Sequence, residues 1–299
     1  MQAFESSSDL IGQPERLQER MAAEGHLFLR RAVDPDLVLD VRARILTALG
    51  DLGWLAPGSD PEAAAPGPAR REGDDGWWDG YTAIQSLERF HQLAHDGAIV
   101  EAVGEVLGEE VLVHPRKIAR VTYPGARWPT PPHQDFPLIQ GATDTVTAWL
   151  PLGDASIKMG GLRLLAGSHA AGLRQAVPMQ GVGGVGVQVD DEDPRWRTID
   201  YHAGDVLLFL STTVHWAPPN NGDRLRLSVD YRYQPASEPI VEGSLLPHYA
   251  GSIPGYDVLS RGWSTRRWIE YPAAVRVVPM QDPFNASTPS GSRFGTGGR

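Results

Sequence analysis

The spacing of apolar residues divides the chain into two regimes. In "VDPDLVLDVRARILTALGDLG", Leu37, Val38, Val41, Ile45, Leu46 and Leu49 recur at helical spacing. Asp34 stands where an N-cap is needed and Pro35 at the first helical position, so the pattern predicts a helix closing near Gly50. A second helix is predicted over "GAIVEAVGEVLG", where Ile99, Val100, Val103, Val106 and Leu107 repeat the stripe. Between them, residues 56–76 are too rich in Pro, Ala and Gly to pack and read as a mobile loop. The loop runs into "WWDGY", whose Trp77 and Trp78 suit either a lid over an apolar substrate or a core anchor.

From residue 111 the period changes to two. "VLVH", "RKIARVTY", "DTVTAWLPL", "GLRLLAG", "DVLLFLS" and "RLRLSVDYRY" are short strand-like runs bounded by Pro, Gly and Asn. No helical pattern separates them, which predicts an antiparallel barrel or jelly roll and not a βαβ sheet. The expected layout is one domain over 1–280: a helical part (1–110), a barrel (111–235) and a C-terminal extension (236–280). A long loop is expected over 179–196, and a disordered tail over 281–299. In the last strand Arg224, Arg226, Ser228, Asp230 and Arg232 share one face, which lies either in water or inside a barrel that holds a charged ligand.

Composition narrows the chemistry. A net charge of −10 opposes nucleic acid or an anionic membrane as the main partner. With no cysteine, disulfides and thiolate metal sites are excluded, so any metal must take His and carboxylate ligands. The N-terminus has neither the basic nor the apolar region of a signal peptide, and no apolar run is long enough to span a bilayer. A soluble cytoplasmic monomer or homodimer acting on a small molecule is expected.

"PTPPHQDFP" places His133 and Asp135 two apart. With 9 His in the chain, about 0.7 His-x-Asp triplets are expected by chance, so the triplet needs support from its context. That context is a distant histidine, His215 in "TTVHWAPPNN", directly after the strand "DVLLFLS". Two His and one carboxylate form the facial set that holds Fe(II) and leaves three positions open. One strand further on, "RLS" carries Arg226 and Ser228.

Taken together, "TPPHQDF", "TAWLPLGD", "GGLRLLAGSH", "AGDVLLFLSTTVHWAPPNN" and "RLRLS" resemble the phytanoyl-CoA dioxygenase family of Fe(II)- and 2-oxoglutarate-dependent oxygenases. The resemblance extends from "EGHLFLRRAV" to "SVDYRYQ". It implies a mainly β fold with flanking helices, a double-stranded β-helix of the jelly-roll, cupin-like kind. It also implies His133, Asp135 and His215 as iron ligands, and Arg226, helped by Ser228, as the partner of the far carboxylate of 2-oxoglutarate. The implied reaction hydroxylates an unactivated C–H bond of a metabolite with O2, releasing succinate and CO2. Desaturation, epimerisation and cyclisation begin in the same way.

Lesser candidates follow. Trp149 can wall the cofactor pocket or simply pack the core. Thr130 and Lys117 are candidates to reach the cofactor, and Arg120 and Arg127 to bind a substrate carboxylate. Among rivals, a halogenase needs Gly or Ala where Asp135 stands. A cupin enzyme that does not use 2-oxoglutarate has no need for Arg226 and Ser228 on one face. A non-enzymatic jelly-roll binding module leaves His133, Asp135 and His215 unexplained.

Overall fold

A computed structural model describes residues 1–126, 129–287 and 291–295. The N-terminal part supplies helices α1 (Pro14–Glu24), α2 (Pro35–Asp51), α3 (Trp77–Gln85), α4 (Glu88–Leu93) and α5 (Gly97–Leu107), with strand β1 (His26–Leu29) between the first two. Both predicted helices are present. Asp34 caps α2 by accepting from the Asp36 amide, and Asp96 caps α5 by accepting from Ala98. Of the predicted stripes, Val38, Val41, Ile45, Leu46 and Leu49 in α2 and Ile99, Val103, Val106 and Leu107 in α5 are buried, while Leu37 and Val100 are half-buried.

The strands that follow are β2 (Val111–Val113), β3 (Ile118–Thr122), β4 (Thr130–His133), β5 (Val146–Pro151), β6 (Arg163–Leu165), β7 (Ala176–Pro178), β8 (Val185–Val187), β9 (Trp196–Arg197), β10 (Val206–Leu210), β11 (His215–Ala217) and β12 (Arg226–Pro235). A short helix, α6 (Phe136–Ile139), follows β4. One antiparallel sheet runs β1-β10-β5-β12-β2, with β3 also paired to β12; a second runs β4-β11-β6-β9. This is the expected jelly roll, with the helices packed on the larger sheet.

Strand β12 explains how the layers meet. All ten of its residues are buried. On the helix side, the Tyr231 hydroxyl donates to the Phe90 carbonyl and Tyr233 donates to Ala94. The alternate residues Arg226, Ser228, Asp230 and Arg232 therefore face the barrel interior. Of the two readings of this face, the interior one holds. Arg224 lies outside the strand and is exposed.

Several expectations need correction. The N-terminal part is not wholly helical: "HLFL" forms β1 on β10, and as a strand buried on both sides it shows no alternation. Helix α3 was hidden by Gly80, which reads as a breaker. It is glycine because the Trp54 indole lies where a Cβ would sit, 2.3 Å from its nearest atom. The 56–76 segment packs at defined points: Ala64 is buried and accepts from the Leu225 amide, and Leu55 bridges Pro66. The 179–196 loop begins inside a hairpin, β7–β8, turning on Gly183 and Gly184 in left-handed conformation.

The C-terminal extension carries β13 (Ile240–Val241), α7 (Tyr256–Leu259) and β14 (Val277–Val278). Within the stretch expected to be disordered, Phe294 is buried in the main core and Arg293 pairs with Glu109 and Asp144. No described helix is long and apolar enough to cross a membrane.

Candidate active site

His133 ends β4 and His215 begins β11, directly opposite each other in the antiparallel register. Opposed residues on one face bring side chains together, and the two imidazole centroids lie 4.1 Å apart. Asp135 stands at the head of α6, where the chain leaves the strand. Gln134 points the other way: its amide donates to Gly172 and Thr212 carbonyls and accepts from the Arg174 amide. This anchor turns His133 and Asp135 to the same side.

All three side chains are buried, with one donor atom from each within 4.8 Å of the others. His133 Nδ1–H donates to the Pro131 carbonyl at 2.8 Å, and His215 Nδ1–H to Thr213 at 3.0 Å. These bonds place the proton on Nδ1 and leave both Nε2 lone pairs facing inward. The Nε2 atoms lie 3.6 and 3.9 Å from Asp135 Oδ1. Burial pushes the His215 pKa down to about 3, reinforced by His133, so its ring is a neutral acceptor. Burial opposes ionisation of Asp135, but Arg232 and the two imidazoles outweigh it and hold its carboxyl well below the usual range. Two inward nitrogens and one anionic oxygen, with no thiolate, fit a facial Fe(II) set.

The three residues open into a cavity of about 490 Å³. Farther along β12, Arg226 lines it and is only 4% exposed. Its Nη1 donates to Ser228 Oγ (3.2 Å) and its Nη2 to Thr122 Oγ1 (2.8 Å), while its buried Nε has no partner. No carboxylate pairs with it among the described residues, and burial pushes its pKa down to about 10. A buried guanidinium held by two hydroxyls, with a donor to spare, is a receptor for an anion.

The remaining candidates separate. Trp149 and Thr130 line the cavity, and so does Arg120, whose Nε donates to Asp230 Oδ2 at 2.9 Å. Burial works against the Arg120 charge, but adjacent Asp230 more than compensates and raises its pKa. Trp77 lines the cavity as a fixed wall, packed on Trp54 and Tyr81. Trp78 does not line it; its ring meets the edge of Tyr249. Lys117 is also outside the cavity. Its Nζ is consumed by the carbonyls of His114, Pro115 and Trp268, so it ties the C-terminal extension to the barrel. Arg127 falls outside the described residues.

Sequence reading missed Thr122, Thr147, Tyr249 and the use made of Asp230 and Arg232. Thr147 alternates with Trp149 in "TVTAWL", and Arg232 shares the face of Arg226, so strand alternation held a usable signal. Tyr249 carried none: it comes from the extension and reaches the cavity with a left-handed backbone, φ 65°.

Comparison with known proteins agrees with this geometry. The family model for phytanoyl-CoA dioxygenase (PhyH) matches residues 23–228. The 1-deoxypentalenic acid 11-beta-hydroxylase of Streptomyces exfoliatus is 28% identical over 244 residues, 76% of this chain and 83% of that protein. The fold is shared with the non-heme monooxygenase ThoJ (TM-score 0.57, 20% identity, 75% of this chain and 79% of that one). It is shared equally with the epimerase SnoN of nogalamycin biosynthesis, solved with Fe3+, alpha-ketoglutarate and nogalamycin RO (TM-score 0.54, 21% identity, 77% and 86%). With two-thirds of the chain matched by the family model and its His-Asp-His cluster assembled, this protein belongs to the phytanoyl-CoA dioxygenase family of Fe(II)- and 2-oxoglutarate-dependent oxygenases.

Proposed function

We propose that the protein hydroxylates an unactivated C–H bond of an apolar small-molecule acid, a step suited to secondary metabolism. The observation that carries the reading is the pair of prepared sites in one cavity: an inward His133/Asp135/His215 set and an anion-lacking Arg226. The three ligands would hold Fe(II), which when bound supplies activation of O2 with 2-oxoglutarate as the electron source. Arg226 would bind the far carboxylate of 2-oxoglutarate through N–H groups that Ser228 and Thr122 leave unused. The hydroxyls of Ser228 and Thr122 accept from Arg226, so their own protons are free to point at the same carboxylate. Trp149, Phe209 and Leu162 add apolar wall to the same cavity, which disfavours water there.

Trp77, Tyr81, Tyr123 and Tyr249 also line the cavity, an aromatic surface for an apolar body. Charge supports the acid. On the barrel's inner face three guanidinium groups (Arg120, Arg226, Arg232) oppose two carboxylates (Asp135, Asp230). A divalent metal and a dianionic cosubstrate cancel each other, which leaves one positive charge for the substrate to neutralise. Arg120 is suited to it, because only its Nε is engaged among the described residues. The acid named in the Streptomyces relative's activity accords with this.

The test is a screen of small apolar carboxylic acids for stimulated succinate release, followed by Arg120→Gln. Loss of a hydrogen bond to a charged partner is worth about 1.5–3 kcal/mol, so KM for the acid should rise roughly 10–100-fold. The methyl ester should be a poor substrate of both proteins. Equal turnover of acid and ester by the parent would refute the assignment.

A further inference from the structure

Asp135 does not meet the imidazoles alone. Its Oδ1, the oxygen 3.6 and 3.9 Å from the two Nε2 atoms, also accepts from Arg232 Nη2 at 3.0 Å. Its Oδ2 accepts from Thr147 Oγ1 at 2.8 Å. Arg232 and Thr147 are directly opposed on β12 and β5, and both are buried. Arg232 does not itself line the cavity and reaches it through Asp135. Its buried Nε has no hydrogen-bond partner, and its one ion pair among the described residues is made by Nη2 with this carboxylate.

We infer that Arg232 and Thr147 form a two-sided clamp that fixes Asp135 as a one-oxygen ligand. The inference rests on the metal assignment above. A carboxylate held on both oxygens cannot rotate about its Cβ–Cγ bond without breaking a buried hydrogen bond. Oδ1 is the oxygen set beside both Nε2 atoms, and the Thr147 bond holds Oδ2 turned toward β5, so the carboxylate offers one oxygen and the metal keeps the position that 2-oxoglutarate needs. The Arg232 bond holds the other oxygen on the imidazole side and balances its charge before any metal arrives. The two residues thus have separable tasks, as positioning residues: Arg232 secures the ligand and Thr147 limits it to one oxygen.

The experiment titrates anaerobic apoprotein with Co(II), then titrates the Co(II) protein with 2-oxoglutarate, following the visible d–d bands. The variants are Arg232→Met, Arg232→Lys and Thr147→Val, each checked by thermal unfolding of the apoprotein. Partners of metal ligands typically contribute 10–100-fold in metal affinity, so Arg232→Met should weaken Co(II) by that factor, with Arg232→Lys in between. Thr147→Val should leave Co(II) affinity equal or tighter, change the band pattern as a second oxygen coordinates, and weaken 2-oxoglutarate about tenfold. Should Arg232→Met fail to fold, Arg232→Lys and Thr147→Val decide. Parental Co(II) and 2-oxoglutarate affinities in Thr147→Val, or parental Co(II) affinity in either folded Arg232 variant, would overturn the clamp. Absence of Co(II) binding to the parent protein would instead overturn the metal assignment on which it rests.

Discussion

Replacing Arg226 by Met keeps much of the side-chain volume and removes the charge. In the structure this guanidinium is buried and, among the described residues, meets two hydroxyls but no anion. Burial lowers its pKa from the usual arginine range to about 10, a loss on the order of 3 kcal/mol of preference for the charged form. The protein without cosubstrate carries that cost, so Arg226→Met should unfold at the parental temperature or above it. With cosubstrate the sign reverses, because the far carboxylate is then buried without a cation. Breaking one side of a buried pair costs about 3–5 kcal/mol, so the Kd for 2-oxoglutarate should rise roughly 10²–10³-fold or more. At a concentration 100 times the parental Kd, 2-oxoglutarate stabilises the parent by about 2.7 kcal/mol; the variant should gain less than about 0.5 kcal/mol. The assay is anaerobic unfolding of the Co(II) protein with and without 2-oxoglutarate, together with direct titration. A Kd within about threefold of the parent would refute the cosubstrate role. Marked destabilisation of the variant without cosubstrate would show that Arg226 is a structural tie and that the cost argument is wrong.

Other expectations concern the site and its walls. His133→Ala, Asp135→Ala and Asp135→Gly should each abolish iron-dependent consumption of 2-oxoglutarate, measured as succinate formed; full turnover in any of them removes that residue from the metal set. Trp77→Ala should destabilise by about 3–5 kcal/mol in urea unfolding, because its indole is packed on Trp54 and Tyr81, whereas Trp78→Ala should cost under about 1.5 kcal/mol and leave substrate KM unchanged. Equal costs would return both indoles to one role. Lys117→Met removes a donor from three buried carbonyls, but Pro115 still accepts from the Tyr256 hydroxyl and Trp268 from His95 Nε2, so only the His114 carbonyl is orphaned among the described residues and the cost should be about 1–3 kcal/mol, while the Kd for 2-oxoglutarate stays at the parental value. A changed cosubstrate affinity there would bring Lys117 back to the cavity.

Local pattern by itself was enough for helices α2 and α5 and for the antiparallel class of the barrel, which depend on short-range rules: a capped stripe at helical spacing and alternation along a strand. The grouping of His133, Asp135 and His215 with Arg226 came from the resemblance to a family, and the fold brings the three candidate ligands together. What needed the tertiary structure depends on contacts between distant segments. Gly80 permits a helix only because Trp54 lies against it, and "HLFL" is a strand only because β10 offers it an edge. Lys117 and Arg226 are both buried cations, and nothing local separates them. Three carbonyls, one from residue 268, satisfy the first, while two hydroxyls leave the second short of an anion. The same holds for Arg232, whose meaning comes from a carboxylate 97 residues away. Burial decides the energetics of a charge, and burial is a property of the whole chain.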